Sequence, residues 1–142
     1  MRLVAILLGL LALTACGGKK TASASEVVRA WSAALDRNDN EGAARLFADR
    51  AQIIQNGEAT LATHGDAVQW NAALPCGGRI IHLEVRSQSQ VLAVFELEER
   101  PHHRCDANGS QAATLFQVEH GRIVLWHQTA VPDEFAPGGQ VI

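Results

Sequence analysis

The sequence contains no tyrosine, one methionine and only three cysteines among its 142 residues. It also lacks an excess of basic residues, since 12 Lys and Arg stand against 15 Asp and Glu, for a net charge of −3. A chain without a basic stripe releases few counterions on contact with phosphates, so we expect no nucleic-acid partner and no electrostatic attachment to anionic lipid. No internal repeat is visible, which excludes repeat architectures.

The N-terminus reads MRLVAILLGLLALTACGG, in which one basic residue, Arg2, precedes an apolar run and then small residues before Cys16. This order predicts a signal peptide over residues 1–15, because the apolar run is too short to span a membrane. The ending LTAC resembles the bacterial lipobox, whose cysteine carries a diacylglycerol thioether and becomes the first residue of the mature chain. The sequence therefore predicts a lipoprotein anchored through Cys16.

Two or three acyl chains, such as palmitate, on Cys16 give lasting anchorage where one chain would be marginal. We therefore expect a lipid-anchored protein outside the cytoplasm. Gly17 after the cysteine favours the outer membrane facing the periplasm in a Gram-negative host, and otherwise the anchor lies in the outer face of the cell membrane. Residues 16–25 comprise the lipidated cysteine and a flexible tether. The remainder predicts one domain over 26–135 and an irregular tail over 136–142 that covers the pocket or a neighbouring subunit.

Helical periodicity and capping signals predict three helices. Ser25 is expected to cap the first, over EVVRAWSAALDRND, and Asn40 the second, over EGAARLFADR, while GDAVQWNAAL forms the third. A short strand, AQIIQNG, lies between the second and third helices. From Arg79 the pattern alternates, which predicts strands over 79–88, 91–102, 112–119 and 122–129. This order indicates an α+β fold in which a meandering antiparallel sheet wraps around the helices.

Cys76 and Cys105 form an even pair in a compartment where disulfides persist. If residues 89–90 form a two-residue loop, Cys76 faces position 103, close to Cys105. A bulge or splay after Pro101 would then bring the two sulfur atoms within bonding distance. The pattern therefore predicts a disulfide.

The same register assigns the faces of this hairpin. It places three aliphatic residues, Ile81, Leu83 and Val85, on the face that we expect to line the helices. That face also carries a line of ionisable side chains, namely Glu96, Glu98, Arg100 and, if the strand continues past Pro101, His102. Inward-facing charges are costly unless they are paired or hydrated. The line therefore predicts a pocket mouth or a buried ion-pair cluster.

Four segments resemble, in order and spacing, the nuclear transport factor 2-like superfamily, and within it the SnoaL-like and limonene-1,2-epoxide hydrolase-like branch. They are VVRAWSAALDRNDNEGAARLFADRAQI, HGDAVQWNAAL, VFELEERPHH and ATLFQVEHGRIVLWHQ. The similarity covers about residues 26–135 and depends on the order of the segments. It implies a cone of curved antiparallel sheet around the helices, a deep pocket in the cone, and a homodimer through the outer sheet face.

The epoxide hydrolases of this branch use an arginine, two aspartates that activate a water, and a tyrosine and an asparagine that hold it. By the resemblance, Arg100 stands at the arginine, His102 at the first aspartate and Gln128 at the second, with Asn56 near the asparagine. Both carboxylates are thus replaced and no tyrosine is present. We therefore expect no epoxide hydrolysis by that mechanism.

Three hypotheses for the function follow. The first is a non-catalytic domain that binds a small apolar ligand or a protein partner, with candidate ligand-binding residues Trp31, Trp70, Phe116, Trp126 and Arg100. The second is a small-molecule hydrolase, cyclase or isomerase that uses His102 with Glu96 or Glu98 as its acid/base pair, with Arg100 and Gln128 as further candidates. The third is a structural envelope lipoprotein with a filled cone and a broad apolar outer sheet face.

The cluster of His102, His103 and Cys105 does not predict a metal site. Adjacent residues on a strand point to opposite faces, so the two histidines diverge, and Cys105 is expected to be oxidised. We therefore expect no metal and no other cofactor.

Overall fold

The computed structural model describes residues 17–137. The predicted signal peptide, the predicted lipidation site Cys16 and residues 138–142 lie outside this range. Residues 17–23 have no regular secondary structure, and helices and strands begin at Ala24. No helix between residues 17 and 137 is long and apolar enough to cross a membrane.

Three α-helices occur in the described range, as predicted: α1 (Ala24–Asp36), α2 (Asn40–Ala44) and α3 (His64–Ala73). The N-cap of α1 is Ser23 and not Ser25, because Ser23 and Glu26 form a reciprocal capping box with distances of 2.7 and 3.2 Å. Helix α2 is capped by Asp39 and is shorter than predicted. It ends early because the chain enters a strand at Phe47, a residue that the helical pattern had included.

Six strands form one sheet: β1 (Phe47–Ile54), β2 (Glu58–Leu61), β3 (Gly77–Val85), β4 (Gln90–Glu98), β5 (Gln111–Glu119) and β6 (Arg122–Thr129). Their order is β2-β1-β6-β5-β4-β3, and the sheet is open and curled. This confirms the predicted α+β cone. The sheet is mixed, however, because β1 pairs with β6 in parallel, and it contains β2, for which no strand was predicted.

The apolar face of helix α1 packs against the concave side of the sheet. Trp31 is central, with ring centroids 5.4 Å from Phe116, 6.2 Å from Phe95 and 6.3 Å from Trp126. Phe116 is fully buried. Aromatic edge-to-face packing of this kind adds to the stabilisation from buried apolar surface and fixes α1 against strands β4, β5 and β6.

A second, smaller apolar cluster lies on the convex side of the sheet. Leu92, Val94 and Ala113 are buried there beneath Val131 and Phe135 of the C-terminal segment. That segment contains a short 3₁₀ turn, Asp133–Phe135. The segment just before the predicted tail therefore packs on the outer face of the sheet, on the side away from α1.

The register of the β3–β4 hairpin differs from the prediction. The loop comprises residues 86–89, so Val85 pairs with Val91, and the register shifts again between Ile80 and His82. As a result Phe95 and Leu97 join the helix-side core, whereas Glu96 and Glu98 face outward. The predicted inward line of charges is therefore wrong. The cause is the longer loop, which changes the register by an odd number of residues, so that the helix-side Leu83 faces Ala93 and not Glu96. The bulge then places Ile81 on the convex side.

Candidate functional site

Strand β4 ends at Glu98, earlier than predicted, and the chain turns into a loop that returns at β5. Within this loop Cys105 forms the predicted disulfide with Cys76, with a Cα–Cα distance of 4.6 Å and an S–S distance of 2.08 Å. Cys105 Nα also donates to the side chain of Glu99 at 3.0 Å. The disulfide therefore fixes the 99–110 loop to the chain just before β3.

Arg100 is only 3% exposed and makes four hydrogen bonds to neutral oxygen atoms. Its Nη1 donates to the backbone oxygens of Asn71 and Leu74 at 2.9 and 3.0 Å. Its Nη2 donates to the side-chain oxygens of Asn38 and Asn40 at 2.7 and 2.6 Å. Arg100 therefore joins the end of α3 to the turn between α1 and α2, and it does not line a cavity.

Asp36, at the end of α1, is the nearest negative charge to Arg100. Its Oδ1 accepts a hydrogen bond from the Gly78 amide at 2.8 Å. Burial raises the pKa of Asp36, although the Gly78 hydrogen bond and the charge of Arg100 oppose this shift. Burial likewise lowers the pKa of Arg100, against the attraction of Asp36. A Cβ at Gly77 would collide with Oδ1 of Asp36, so glycine is required for α1 to approach β3 this closely.

The two histidines of the 99–110 loop have different environments. His102 has a backbone φ of 62° and an exposed side chain, and so it does not continue β4. His103 instead lies against α3, where its Nε2 is 2.8 Å from the backbone oxygen of Ala72. The two side chains thus have different surroundings, although neither residue lies on a strand, which was the reason for expecting them to diverge. The acid/base role proposed for His102 required a position in the cone, which this residue does not occupy.

Glu96 and Glu98 lie on the convex side of the sheet, where both contact Arg79. Arg79 Nη2 is 2.9 Å from Glu96, and its Nε is 3.5 Å from Glu98. All three side chains are substantially exposed. This arrangement is a solvated ion-pair cluster, and neither glutamate shares an enclosed volume with His102.

A cavity of about 220 Å³ occupies the cone between the C-terminal half of α1 and the concave face of the sheet. Its apolar walls are formed by Trp31, Leu35, Leu74, Phe95, Leu97 and Trp126. Its polar lining includes Gln55, Thr114, Gln128 and, from the disulfide-bonded loop, Asp106. Within residues 17–137, Asp106 is the only ionisable side chain that lines this cavity, since the lining residue Cys76 is oxidised.

The structure places the predicted ligand-binding residues in two groups. Trp31 and Trp126 line the cavity, as does Gln128, which the resemblance had put at a catalytic position. Trp70 and Phe116 belong to the surrounding core and do not reach the cavity; the ring of Trp70 is 5.0 Å from that of Trp126. Arg100 is also outside the lining, and its two terminal nitrogens bond to the end of α3 and to the turn between α1 and α2.

Sequence reasoning missed most of the lining, including the polar residues Gln55, Thr114 and Asp106. For Thr114 a signal was available: it lies two residues before the buried Phe116 on an alternating strand, and so it must share the inward face. Asp106 had no comparable signal, because its position depends on the loop and its disulfide. No group of three or more potential metal-binding side chains occurs between residues 17 and 137.

Comparison with known proteins yields structural similarity without close sequence similarity. No family model matches the chain, and no curated protein matches it. A nuclear transport factor 2-like protein of unknown function from Cytophaga hutchinsonii superposes with a TM-score of 0.64 at 12% identity, covering 82% of this chain and 97% of that one. A candidate polyketide cyclase from Sinorhizobium meliloti gives 0.60 at 17% identity, with coverage of 72% and 93%.

A third similar structure is a protein of ketosteroid isomerase-like fold from Catenulispora acidiphila, solved in complex with trimethylamine. It has a TM-score of 0.58 and 19% identity, and the match covers 79% of this chain and 98% of that one. At such identities the likeness concerns the fold alone. The chain therefore has the cone fold that is shared by nuclear transport factor 2-like and ketosteroid isomerase-like proteins.

Proposed function

We propose that this protein is a lipid-anchored, non-catalytic domain outside the cytoplasm that binds a small, mostly apolar ligand in its cone. The observation that carries the proposal is the cavity of about 220 Å³, whose walls are largely aromatic and aliphatic. Concave, mostly apolar sites with a few polar groups are the usual form of small-molecule sites. An apolar ligand would gain here by leaving water and by contacting Trp31 and Trp126.

The environment of the candidate catalytic groups supports binding over catalysis. Proton transfer requires an acid or base within hydrogen-bonding reach of the reacting atom in an enclosed site. His102 is exposed, and Glu96 and Glu98 pair with Arg79 on the opposite side of the sheet. The carboxylate that does line the cavity, Asp106, is exposed at the rim. Among residues 17–137, no other acid or base lines the cavity with it.

Two features also favour ligand binding over a structural envelope role. A structural lipoprotein of this shape would have a filled cone and a broad apolar outer face. Here the cone contains a cavity, and the apolar cluster on the outer face is covered by Val131 and Phe135. Among the described residues, Val85 at 62% is the only large apolar residue that is strongly exposed. Little apolar surface is therefore left for a permanent partner.

The position of the tether relates the cavity to the proposed anchor. Thr21 of the tether lies against the β5–β6 turn, where its side chain would be 3.3 Å from a Cβ at Gly121. The cavity is lined by Trp31 and Leu35, in the second half of α1. Helix α1 has 13 residues, and at 1.5 Å per residue it spans about 20 Å. We infer that the cavity opens away from the anchored end, toward the aqueous space.

The ligand-binding proposal is tested by calorimetry with naphthalene, which matches the cavity in size and polarity. We expect one saturable site, and we expect Ala112→Phe to abolish binding because Ala112 lines the cavity and a phenyl ring would fill it. Ala59→Phe is the matched control, since Ala59 is exposed on β2 and should leave binding unchanged. Absence of naphthalene binding in the unmodified protein, or equal loss in both variants, would overturn the proposal.

The non-catalytic part is tested with two reactive probes, a cyclohexene epoxide and a cyclic β,γ-unsaturated ketone. We expect mass spectrometry and NMR to recover both unchanged after incubation with the protein. Product formation above the protein-free rate, if lost in His102→Ala, would instead favour the enzyme hypothesis.

The anchor is tested by Cys16→Ser, which we expect to move the protein from the membrane fraction to the soluble fraction of cells.

A further inference from the structure

The interior face of three adjacent strands is divided into an apolar row and a polar row. In the apolar row, Ile53 of β1 pairs with Trp126 of β6, which pairs with Phe116 of β5. All three side chains are at least 95% buried. This row lies at the centre of the core and contributes the Trp126 wall of the cavity.

The polar row lies two residues from the apolar row on each chain segment, after it on β1 and β6 and before it on the antiparallel β5. Gln128 of β6 pairs with Thr114 of β5, and Gln55 follows the last paired residue of β1 on the same face. Because side chains alternate across a sheet, Thr114 and Gln128 face the same side as the row beside them, and Gln55 directly follows the end of β1. Both glutamines are exposed to solvent, whereas Thr114 is buried. All three line the cavity. Three neutral hydrogen-bonding side chains are thus placed side by side at one end of an apolar site.

The side chains of this polar row have no hydrogen-bond partner among residues 17–137. Thr114 is notable because it is only 2% exposed, and its side chain contacts the cavity. A ligand that fills the cavity would remove this hydroxyl from water, at a cost of about 1 to 3 kcal/mol unless the ligand supplies a hydrogen bond. The amides of Gln55 and Gln128 each offer donors and an acceptor, so the row can bond a hydrogen-bond donor or an acceptor of the ligand.

We propose that the ligand has an apolar body, which packs against Trp31 and Trp126, and an uncharged polar end that hydrogen-bonds the row of Gln55, Gln128 and Thr114. A hydroxyl, a carbonyl or an amide fits this description. A carboxylate does not, because no basic side chain among the described residues lines the cavity and Asp106 at the rim would repel it. This inference rests on the proposed ligand-binding function and names the chemical class of the ligand.

The cavity volume bounds the size of the apolar body. A cavity of about 150 Å³ is known to hold a benzene molecule in a protein core. The present cavity of about 220 Å³ therefore suits a ligand with one ring or two fused rings. Larger polycyclic ligands would require the 99–110 loop to move.

Three probes of the same size distinguish the polar end: 1-naphthol, 1-methylnaphthalene and 1-naphthoate, compared by calorimetry at pH 7. The first is neutral and hydrogen-bonds, the second is apolar and the third is anionic. We expect 1-naphthol to bind roughly tenfold more tightly than either of the others, as one or two added hydrogen bonds imply. Equal affinity for 1-naphthol and 1-methylnaphthalene, or tighter binding of 1-naphthoate, would overturn this inference.

Two substitutions locate the effect. Thr114→Val and Gln128→Leu remove hydrogen-bonding groups while keeping similar shapes, and we expect each to reduce the preference for 1-naphthol without weakening 1-methylnaphthalene. Gln117→Leu is the matched control, because Gln117 bonds Glu119 on the outer face of β5. An unchanged preference in both cavity variants would contradict the assignment to this row.

The outcomes separate this inference from the proposed function. If all three probes bind equally, the cavity is a ligand site without a preference for a polar end, and only this inference fails. If none of the probes binds, the proposed function fails as well. If a variant does not fold, the order of the three affinities in the unmodified protein still decides the question.

Discussion

The indole nitrogen of Trp31 donates a hydrogen bond of 2.8 Å to Oδ1 of Asn71, 40 residues away in the chain. Both residues are buried, and Asn71 is completely inaccessible to solvent. The amide nitrogen of Asn71 in turn donates to the Ala67 backbone oxygen at 2.8 Å, one turn earlier in α3. Asn71 therefore fixes the orientation of a tryptophan that forms one wall of the cavity.

Replacing Asn71 with leucine tests this relationship. Asn71→Leu keeps a similarly branched side chain but leaves the Trp31 N–H without an acceptor in an apolar environment, so we expect the free energy of unfolding to fall by about 2 to 3 kcal/mol. Chemical denaturation measures this change. Asn108→Leu, at an exposed loop position, is the control and should change stability by less than about 0.5 kcal/mol. Similar losses of unfolding free energy in both variants would show that the Trp31–Asn71 hydrogen bond does not stabilise the fold.

Arg100 is expected to stabilise the fold through geometry as well as charge. Its planar guanidinium reaches four acceptors on two segments, and a lysine ammonium has neither the donors nor the shape to replace it. We expect Arg100→Lys to lower the free energy of unfolding by about 2 to 4 kcal/mol, because buried oxygens lose charged donors. Thermal and chemical denaturation measure the loss. The same substitution at the exposed Arg104 should have little effect, and a stable Arg100→Lys variant would contradict this role.

Most of the element order, with the exception of β2, and the disulfide could be predicted from the sequence, because they depend on local periodicity, capping and the number of cysteines. The face assignment of the β3–β4 hairpin could not, because it depends on a bulge near Ile81 and on a loop of residues 86–89, neither of which has a clear sequence signal. A single-residue slip exchanges the faces of a strand. The longer loop changes the register by an odd number, so Leu83 shares a face with Ala93, and Glu96 and Glu98 lie on the opposite, solvent-exposed side.

The path of the chain after Glu98 was also beyond sequence reasoning. The segment EERPHHRCD contains the residue types of an active site, but their placement depends on Arg100 bonding to Asn38 and Asn40, about 60 residues earlier. Such a tertiary contact ends the strand and turns His102 outward with a positive φ. The segment thus contributes to stability and to the cavity wall, whereas the residues that contact the cavity interior come from α1, β4, β5 and β6.

Asp36 should make stability depend on pH. Its pKa is raised in the folded protein above the ordinary value of 3.8, mainly by burial. Above the folded pKa the ionised carboxylate is less stable in the folded chain than in the unfolded chain, so the penalty is fully present at neutral pH. It disappears as the pH falls below the unfolded value, where both states are protonated.

We therefore expect Asp36→Asn to be more stable than the unmodified protein at pH 7, and the difference to shrink as the pH approaches 3.8. Asparagine keeps an oxygen that can accept from the Gly78 amide. Because Asp36 is partly exposed, solvent screening limits the gain to below about 1 kcal/mol. Urea denaturation across this pH range measures it. Asp49→Asn makes the same charge change at another exposed site and should not reproduce the pattern.

The disulfide is expected to act on both stability and ligand binding, because Cys76 lines the cavity and Cys105 holds the loop that contributes Asp106 and Ala107. The two cysteines are 29 residues apart, and closing a loop of this length gives about 3 to 4 kcal/mol on the chain-entropy model. We expect the double variant Cys76→Ala, Cys105→Ala to lose stability of this size in denaturant. Its affinity for naphthalene should also fall, because the released loop no longer closes the cavity.

Reduction of the unmodified protein separates the covalent bond from the side-chain changes. If the bond itself matters, a reductant should lower the stability and naphthalene affinity of the unmodified protein to those of the double variant, and should leave the variant unaffected. Mass spectrometry after alkylation provides the chemical check, with Cys76 and Cys105 protected until reductant is added. Alkylation of both residues before reduction would show that the bond is absent, and a reduced protein with undiminished affinity would show that the bond does not shape the cavity.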